Sequence, residues 1–210
     1  MSSVAWDREY ERRGIPSSFR EEPSGALVWA LENMPLPGAA LDAGCGTGRN
    51  TAYLRTRGVS AVGLDYSTVA LARARVPVVR GDLTEGLPFR GAQFDLVCDL
   101  FVYKHIIPVP ARAAYRKEIA RVLRPDGRLL LSLAHVDDGY YAACPKRGEA
   151  VFDPTTDVAS VLFTMDELIA EMSDLFTLAT SIQKEKPGMM HGRRYRRRTM
   201  ATIWRHPVID

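Results

Sequence analysis

Leu41-Asp42-Ala43-Gly44-Cys45-Gly46-Thr47-Gly48-Arg49 runs from a short apolar strand into glycines at alternate positions, and then into a helix. Glycine at such a turn lets the chain reverse tightly and lets backbone approach a ligand with no side chain between. One reading is a plain strand–helix turn. A second is the dinucleotide-binding pattern G-x-G-x-x-G. Gly44 and Gly46 fit that pattern, but its third glycine falls on Arg49 and the extra glycine stands at Gly48. The third glycine permits close helix–strand packing, so a bulky arginine there counts against a dinucleotide. Asp42, at the strand end beside the glycines, suits a cationic ligand better than a pyrophosphate.

Outward from this turn, short apolar runs alternate with helical segments. Strands are expected at Ala39–Ala43, Ser60–Leu64, Val76–Val79, Phe94–Cys98 and Arg128–Ala134. Helices are expected at Gly48–Arg57, Ser67–Arg75 and Pro110–Leu123, the last with Tyr115, Ile119, Val122 and Leu123 on one stripe. This alternation predicts βαβ units, hence a parallel sheet covered on both faces. Before it lie a short charged helix at Trp6–Arg13, closed by Gly14 and Pro16, and a helix at Ser24–Met34 stopped by Pro35 and Pro37. Val122–Gly127 reads as the turn before the fifth strand.

After Ala134 the rhythm breaks. His135–Phe163 reads as a long functional loop or lid, with Tyr140 and Tyr141 as pocket walls or loop anchors. Thr164, with Glu167 three residues on, predicts a capping box opening a helix to Met172. Strands at Leu175–Gln183 and Arg194–Trp204 should flank a turn around Pro187-Gly188. The expected fold class is therefore α/β: a Rossmann-like, doubly wound sheet of about seven strands, mostly parallel, with a C-terminal antiparallel hairpin. A single domain over 1–210 is expected, with an N-terminal helical lid over 1–36, a cofactor-binding core over 37–134, and a substrate loop plus hairpin over 135–210.

Composition bounds the function. With 46% hydrophobic and 25% charged residues the chain is globular rather than disordered. A net charge of +3 is too small to argue for nucleic acid by itself. The scattered cysteines Cys45, Cys98 and Cys144 form no C-x-x-C pair, which argues against a disulfide framework or a metal site and for a reducing cytoplasm. No apolar run is long enough to span a bilayer, and the polar N-terminus is not a secretory signal.

The string LDAGCGTG resembles the first motif of class I S-adenosyl-methionine-dependent methyltransferases, and the resemblance extends from about Ala39 to Ala134. In that family the glycine loop holds the methionine part of the cofactor, which implies the same for Asp42, Gly44, Gly46 and Gly48. Asp65, ending the second strand, can accept hydrogen bonds from both ribose hydroxyls; the alternative is a helix cap, which Ser67 could serve instead. The resemblance places Asp82 beside the adenine amino group, and Asp99 and Leu100 on the floor past the fourth strand. Tyr10, Arg49, Tyr66 and Leu83 complete the expected cofactor set. The implied cofactor is S-adenosyl-L-methionine, leaving as S-adenosyl-L-homocysteine.

Gly48-Arg49-Asn50, together with Phe163-Thr164, Glu167-Leu168, Gly188-Met189-Met190-His191 and Met200-Ala201-Thr202, looks like the small tellurite-resistance methyltransferases and their thiol- and thiopurine-methylating relatives. There a histidine of the last hairpin faces substrate, and His191 stands at the matching place. A base is needed only if the acceptor arrives protonated. His191, His105 and Tyr103 are the catalytic candidates, with His135 behind them; His105 reads more readily as a helix-end or packing residue than as a base, and His135 equally as either.

The run Arg193-Arg194-Tyr195-Arg196-Arg197-Arg198 has three readings: a solvated face, a grip on an anionic substrate, and contact with RNA backbone. The leading expectation is methyl transfer to a small-molecule nucleophile, with an anionic acceptor among the options, nucleic acid less favoured and no membrane partner. An RNA or protein methyltransferase, and a protein that binds the cofactor without turnover, are the alternatives.

Overall fold

The computed structural model describes residues 3–11 and 20–206. Its centre is a seven-stranded sheet built from β1 (Ala39–Ala43), β2 (Ser60–Asp65), β3 (Val78–Arg80), β4 (Phe94–Leu100), β5 (Leu123–Ala134), β9 (Thr177–Met190) and β10 (Arg193–Arg205). Their order across the sheet is β3-β2-β1-β4-β5-β10-β9. The first five are mutually parallel, and β10 runs antiparallel to both β5 and β9. The expected doubly wound sheet with a closing hairpin is the observed one.

Alternation along the strands divides the core in two. Leu41, Val97, Leu129 and Leu131 pack with Tyr115, Ile119 and Val122 of α5 (Val109–Val122) and Leu168 and Met172 of α6 (Met165–Met172). Ala40, Leu96, Cys98 and Leu130 turn to the opposite face, against Leu27 and Ala30 of α2 (Gly25–Glu32) and Leu54 of α3 (Arg49–Thr56). Burying both faces of a parallel sheet under helices is what the two-residue side-chain period requires.

Helix boundaries follow local chemistry. Ser24 caps α2 by accepting from Ala26 N, and Thr164 and Glu167 form the predicted capping box of α6. The first helix, α1 (Ser3–Glu11), covers most of the charged N-terminal helix; its expected stop at Gly14 and Pro16 lies outside the described residues. α4 (Thr68–Leu71) is shorter than Ser67–Arg75, because Arg73 and Ala74 bond back three residues and tighten the chain toward β3.

Three expectations are corrected. Pro187-Gly188 is not the hairpin turn: Pro187 pairs with Arg196 and Gly188 with Tyr195 inside the ladder, and the chain reverses at His191-Gly192, at φ 46° and 77°. Proline is tolerated there because β9 is the sheet edge. A Cβ at Gly188 would sit 2.7 Å from Arg197 Cγ, so this glycine makes room for a side chain and not for a turn. Val122–Gly127 is not a separate turn before the fifth strand: Val122 ends α5, and the rest forms a register irregularity inside β5, where Asp126 takes φ 63°. The 135–163 segment is not an open loop: it carries a 3-10 turn at Tyr141–Ala143 and a small antiparallel sheet of β6 (Lys146–Arg147), β7 (Ala150–Phe152) and β8 (Ala159–Val161).

Candidate active site

The sheet order reverses between β1 and β4, where crossovers leave in opposite directions and a crevice opens beyond the strand ends. A cavity of about 840 Å³ lies there, reaching from the glycine turn after β1 to the hairpin. It is near the upper end of the range of about 300–1,000 Å³ for small-molecule sites, so it can hold a nucleoside-sized cofactor and an acceptor together.

The glycine turn forms one end. Gly44, Gly46 and Gly48 take φ 69°, 56° and 82°, conformations that L side chains rarely adopt. The amides of Gly44 and Cys45 both donate to Leu64 O, at 2.7 and 3.0 Å, tying the turn to β2. A Cβ at Gly46 would come within 2.3 Å of the Tyr10 hydroxyl, and one at Gly44 within 2.3 Å of Val102 Cγ2. The missing side chains thus let Val102 and Tyr10 pack directly on a turn whose backbone also lines the cavity.

Two carboxylates flank this turn with different tasks. Asp65 Oδ2 accepts from Gly46 N at 2.8 Å and Oδ1 from Ser67 N at 2.9 Å, and the side chain lines the cavity. Each oxygen retains a lone pair for a ligand hydroxyl. Burial pushes this carboxyl above its usual range, against the pull of the Ser67 and Gly46 amides. Asp42 instead is sealed in: its Oδ2 accepts from Thr51 N at 3.0 Å and Thr51 Oγ1 at 2.7 Å, fastening α3 to β1. Burial, countered by the Thr51 bonds, pushes it up to about 6. Asp42 is buried beneath the cavity wall.

Further along, Asp82 and Leu83 follow β3, Tyr66 follows Asp65, and Leu100 ends β4; all line the cavity, as do Tyr10 and Arg49. Gly48 lies behind the wall as the left-handed N-cap of α3. Asp99 is also behind it: Oδ1 accepts from Val102 N and Tyr103 N, and Oδ2 from the Tyr115 hydroxyl. Complete burial pushes Asp99 up to about 7 despite these bonds. Asp42, Gly48 and Asp99, expected as cofactor residues, lie beneath the wall and shape its floor.

A helix roofs the turn. Asp7 of α1 accepts from Ser67 Oγ at 2.6 Å, which lays Trp6, Glu9 and Tyr10 along the cavity. Burial first, and the Asp65 charge second, hold the Tyr10 hydroxyl protonated far beyond its usual range.

The catalytic candidates separate. His105 lines the cavity, with Nδ1 2.8 Å from Ala159 O and Trp6 edge-on at 5.0 Å. Burial, then the neighbouring Lys104 charge, push it well below the ordinary histidine range, so it is neutral at pH 7. Tyr103 is turned away: its hydroxyl donates to Glu171 Oε1 at 2.5 Å and accepts from Arg116, between α5 and α6. His191 stands at the hairpin tip with Nε2 2.9 Å from Asp153 Oδ2. Asp153 lines the cavity, and His191 backs it from the hairpin tip through this bond. Burial opposes ionisation of Asp153, and His191, Tyr140 and the Thr155 amide together outweigh it, holding the carboxyl below its usual range.

Sequence reasoning overlooked Lys104, Tyr141 as its partner, Asp153 and Ser160, which also line the cavity. Asp153 and Ser160 lie in and beside the small sheet, whose strands of two or three residues are too short to show a period.

The side-chain-free cradle at Gly44 and Gly46, the ribose-competent Asp65, and acidic rather than phosphate-binding surroundings fit S-adenosyl-methionine. Fold and site together resemble those of class I S-adenosyl-methionine-dependent methyltransferases. Residues 41–131 match the family model for a methyltransferase domain. A probable S-adenosylmethionine-dependent methyltransferase of Mycolicibacterium smegmatis is 34% identical over 158 residues, covering 72% of this chain and 55% of the relative. An uncharacterized methyltransferase of Synechocystis sp. is 38% identical over 112 residues, covering 50% of this chain and 52% of the relative. The chain thus spans about half the length of these curated relatives. A crystal structure of 1,6-didemethyltoxoflavin-N1-methyltransferase from Burkholderia thailandensis, with bound 1,6-didemethyltoxoflavin and S-adenosylhomocysteine, has a TM-score of 0.63 and 25% identity, covering 87% of this chain and 76% of that one.

Proposed function

We propose that the chain transfers a methyl group from S-adenosyl-methionine to a small-molecule nucleophile. The observation that carries this is one cavity of about 840 Å³, walled by the glycine turn at one end and by the hairpin and small sheet at the other. When bound, the cofactor supplies an electrophilic sulfonium methyl. The chain's own residues then have to position the acceptor and exclude water, which for well-oriented reactants is worth up to about 7–11 kcal/mol. Asp65 and the Gly46 amide hold the cofactor end; Trp6 and Tyr10 roof it; His105, Ser160 and Tyr141 face the acceptor end.

A small acceptor is favoured over RNA because three of the five arginines of the run are ion-paired within the chain. Arg196 pairs with Glu185, Arg197 with Asp138 and Arg198 with Asp137. The narrower kinship with tellurite- and thiol-methylating enzymes belongs to this proposal, supported by a hairpin that itself walls the cavity. The free thiols Cys45, Cys98 and Cys144 support a reducing cytoplasm as the setting; among the described residues no helix is long and apolar enough to cross a membrane.

The test is incubation with S-adenosyl-methionine carrying a 13C methyl group, offered in parallel to a panel of small thiols and organic oxyanions, to total tRNA and to a protein extract. Label in the small molecules is the expected outcome. Label confined to tRNA or protein would overturn the proposal.

A further inference from the structure

Lys104 is a buried cation whose partners do not balance it. It follows β4 in the 3-10 turn Tyr103–His105, lines the cavity, and is only 2% exposed. Its Nζ donates to the Tyr141 hydroxyl and to Ser160 Oγ at 3.3 Å, and lies 4.2 Å from the centre of the Tyr141 ring. All these partners, among the described residues, are neutral. An ammonium taken out of water is costly unless paired with an opposite charge and fully hydrogen-bonded.

Among the described residues no carboxylate forms an ion pair with it. His105 is neutral. Asp153, an ionised carboxylate in the same part of the wall, bonds His191 at 2.9 Å and makes no ion pair with Lys104. Arg197 is matched by Asp138 at 2.8 Å. Lys184 and Lys186, on the edge strand β9, add two further cations to the wall with exposed side chains. An ammonium carries three donors, and two are used here, so one remains for a ligand.

The geometry points to Lys104 Nζ as the anion receptor of the acceptor subsite: the acceptor is an organic anion, and its carboxylate or equivalent oxyanion takes the remaining Lys104 donor. Tyr141 and Ser160 fix the ammonium in place by accepting the other two. Lys184 and Lys186 draw the anion toward the mouth. The atom that receives the methyl is a different one, presented toward the glycine turn. This inference rests on the methyl-transfer reading and names its substrate class.

The probe pair is benzoate and its neutral isostere benzamide, followed by ligand-observed NMR on full-length protein saturated with S-adenosyl-homocysteine. Wild type is expected to bind benzoate at least tenfold more tightly than benzamide. Lys104→Met is expected to erase that preference while leaving affinity for S-adenosyl-homocysteine unchanged. Tyr141→Phe keeps the ring and frees a donor, so the benzoate preference is expected to persist or grow; this variant also serves if Lys104→Met does not fold. Equal binding of the two probes by wild type, persistence of the preference in Lys104→Met, or its loss in Tyr141→Phe would each overturn the inference. Failure of wild type to bind S-adenosyl-homocysteine would instead overturn the reading beneath it.

Discussion

Asp42 and Asp65 show what one residue's surroundings add to its identity. Both close a strand beside the glycine turn, and both read from sequence as cofactor ligands. Asp65 keeps its carboxylate in the cavity wall, whereas Asp42 is spent on Thr51, nine positions on and in the next helix. Nothing in the order of residues says that Thr51 will turn inward to claim it. The glycines were fully legible, because only glycine occupies φ near 60–80° without strain. Gly44→Ala should accordingly lose about 1–2 kcal/mol from its left-handed backbone alone. The Cβ collision with Val102, a branched side chain with little freedom, adds to this. Chemical denaturation of the variant beside wild type measures the loss; an unchanged midpoint would show that the turn is looser than the structure has it.

At the scale of elements, amphipathic and capped segments were readable and the acceptor end was not. The capping box of α6 stood in the sequence as Thr164 and Glu167, and both of its bonds are present. Thr164→Ala should cost about 1 kcal/mol, the usual worth of such a cap, read as a fall in Tm. Glu167 is held below its usual carboxylate range by the Thr164 amide and hydroxyl. Its share of stability is therefore present at neutral pH and lost as pH falls through the folded value. The small sheet escaped notice because its strands are too short to show a period, and the true hairpin turn because Pro187-Gly188 mimics a turn that the edge strand absorbs. The roof formed by α1 yields its own prediction. Tyr10→Ala removes the side chain over Gly46 and should weaken S-adenosyl-homocysteine binding about tenfold, which corresponds to about 1.4 kcal/mol. Calorimetric titration reads it, and unchanged affinity would show that α1 does not cover the bound cofactor.

For the whole molecule, the alternation of strands and helices was enough to set the sheet order class, the two-faced core and the crevice at the reversal between β1 and β4, because all three follow from packing a parallel sheet under helices. That packing has an electrostatic consequence. Asp42 and Asp99 are sealed in the floor, and burial pushes them up to about 6 and about 7. Between the ordinary carboxylate value and these raised ones the folded chain holds more protons than the unfolded chain, so stability from these groups falls as pH rises. Asp99→Asn mimics the protonated form, and its stability relative to wild type should climb as pH goes from about 5 to about 8. Thermal melts across that range would show a flat difference if Asp99 titrates normally. The central claim, that the cavity after β1 binds S-adenosyl-methionine through Asp65, is tested most directly by calorimetric titration of S-adenosyl-homocysteine into wild type and Asp65→Ala. The account predicts saturable binding to wild type and at least a tenfold loss in the variant. Well-folded wild type that does not bind, or a variant that binds equally well, would contradict it.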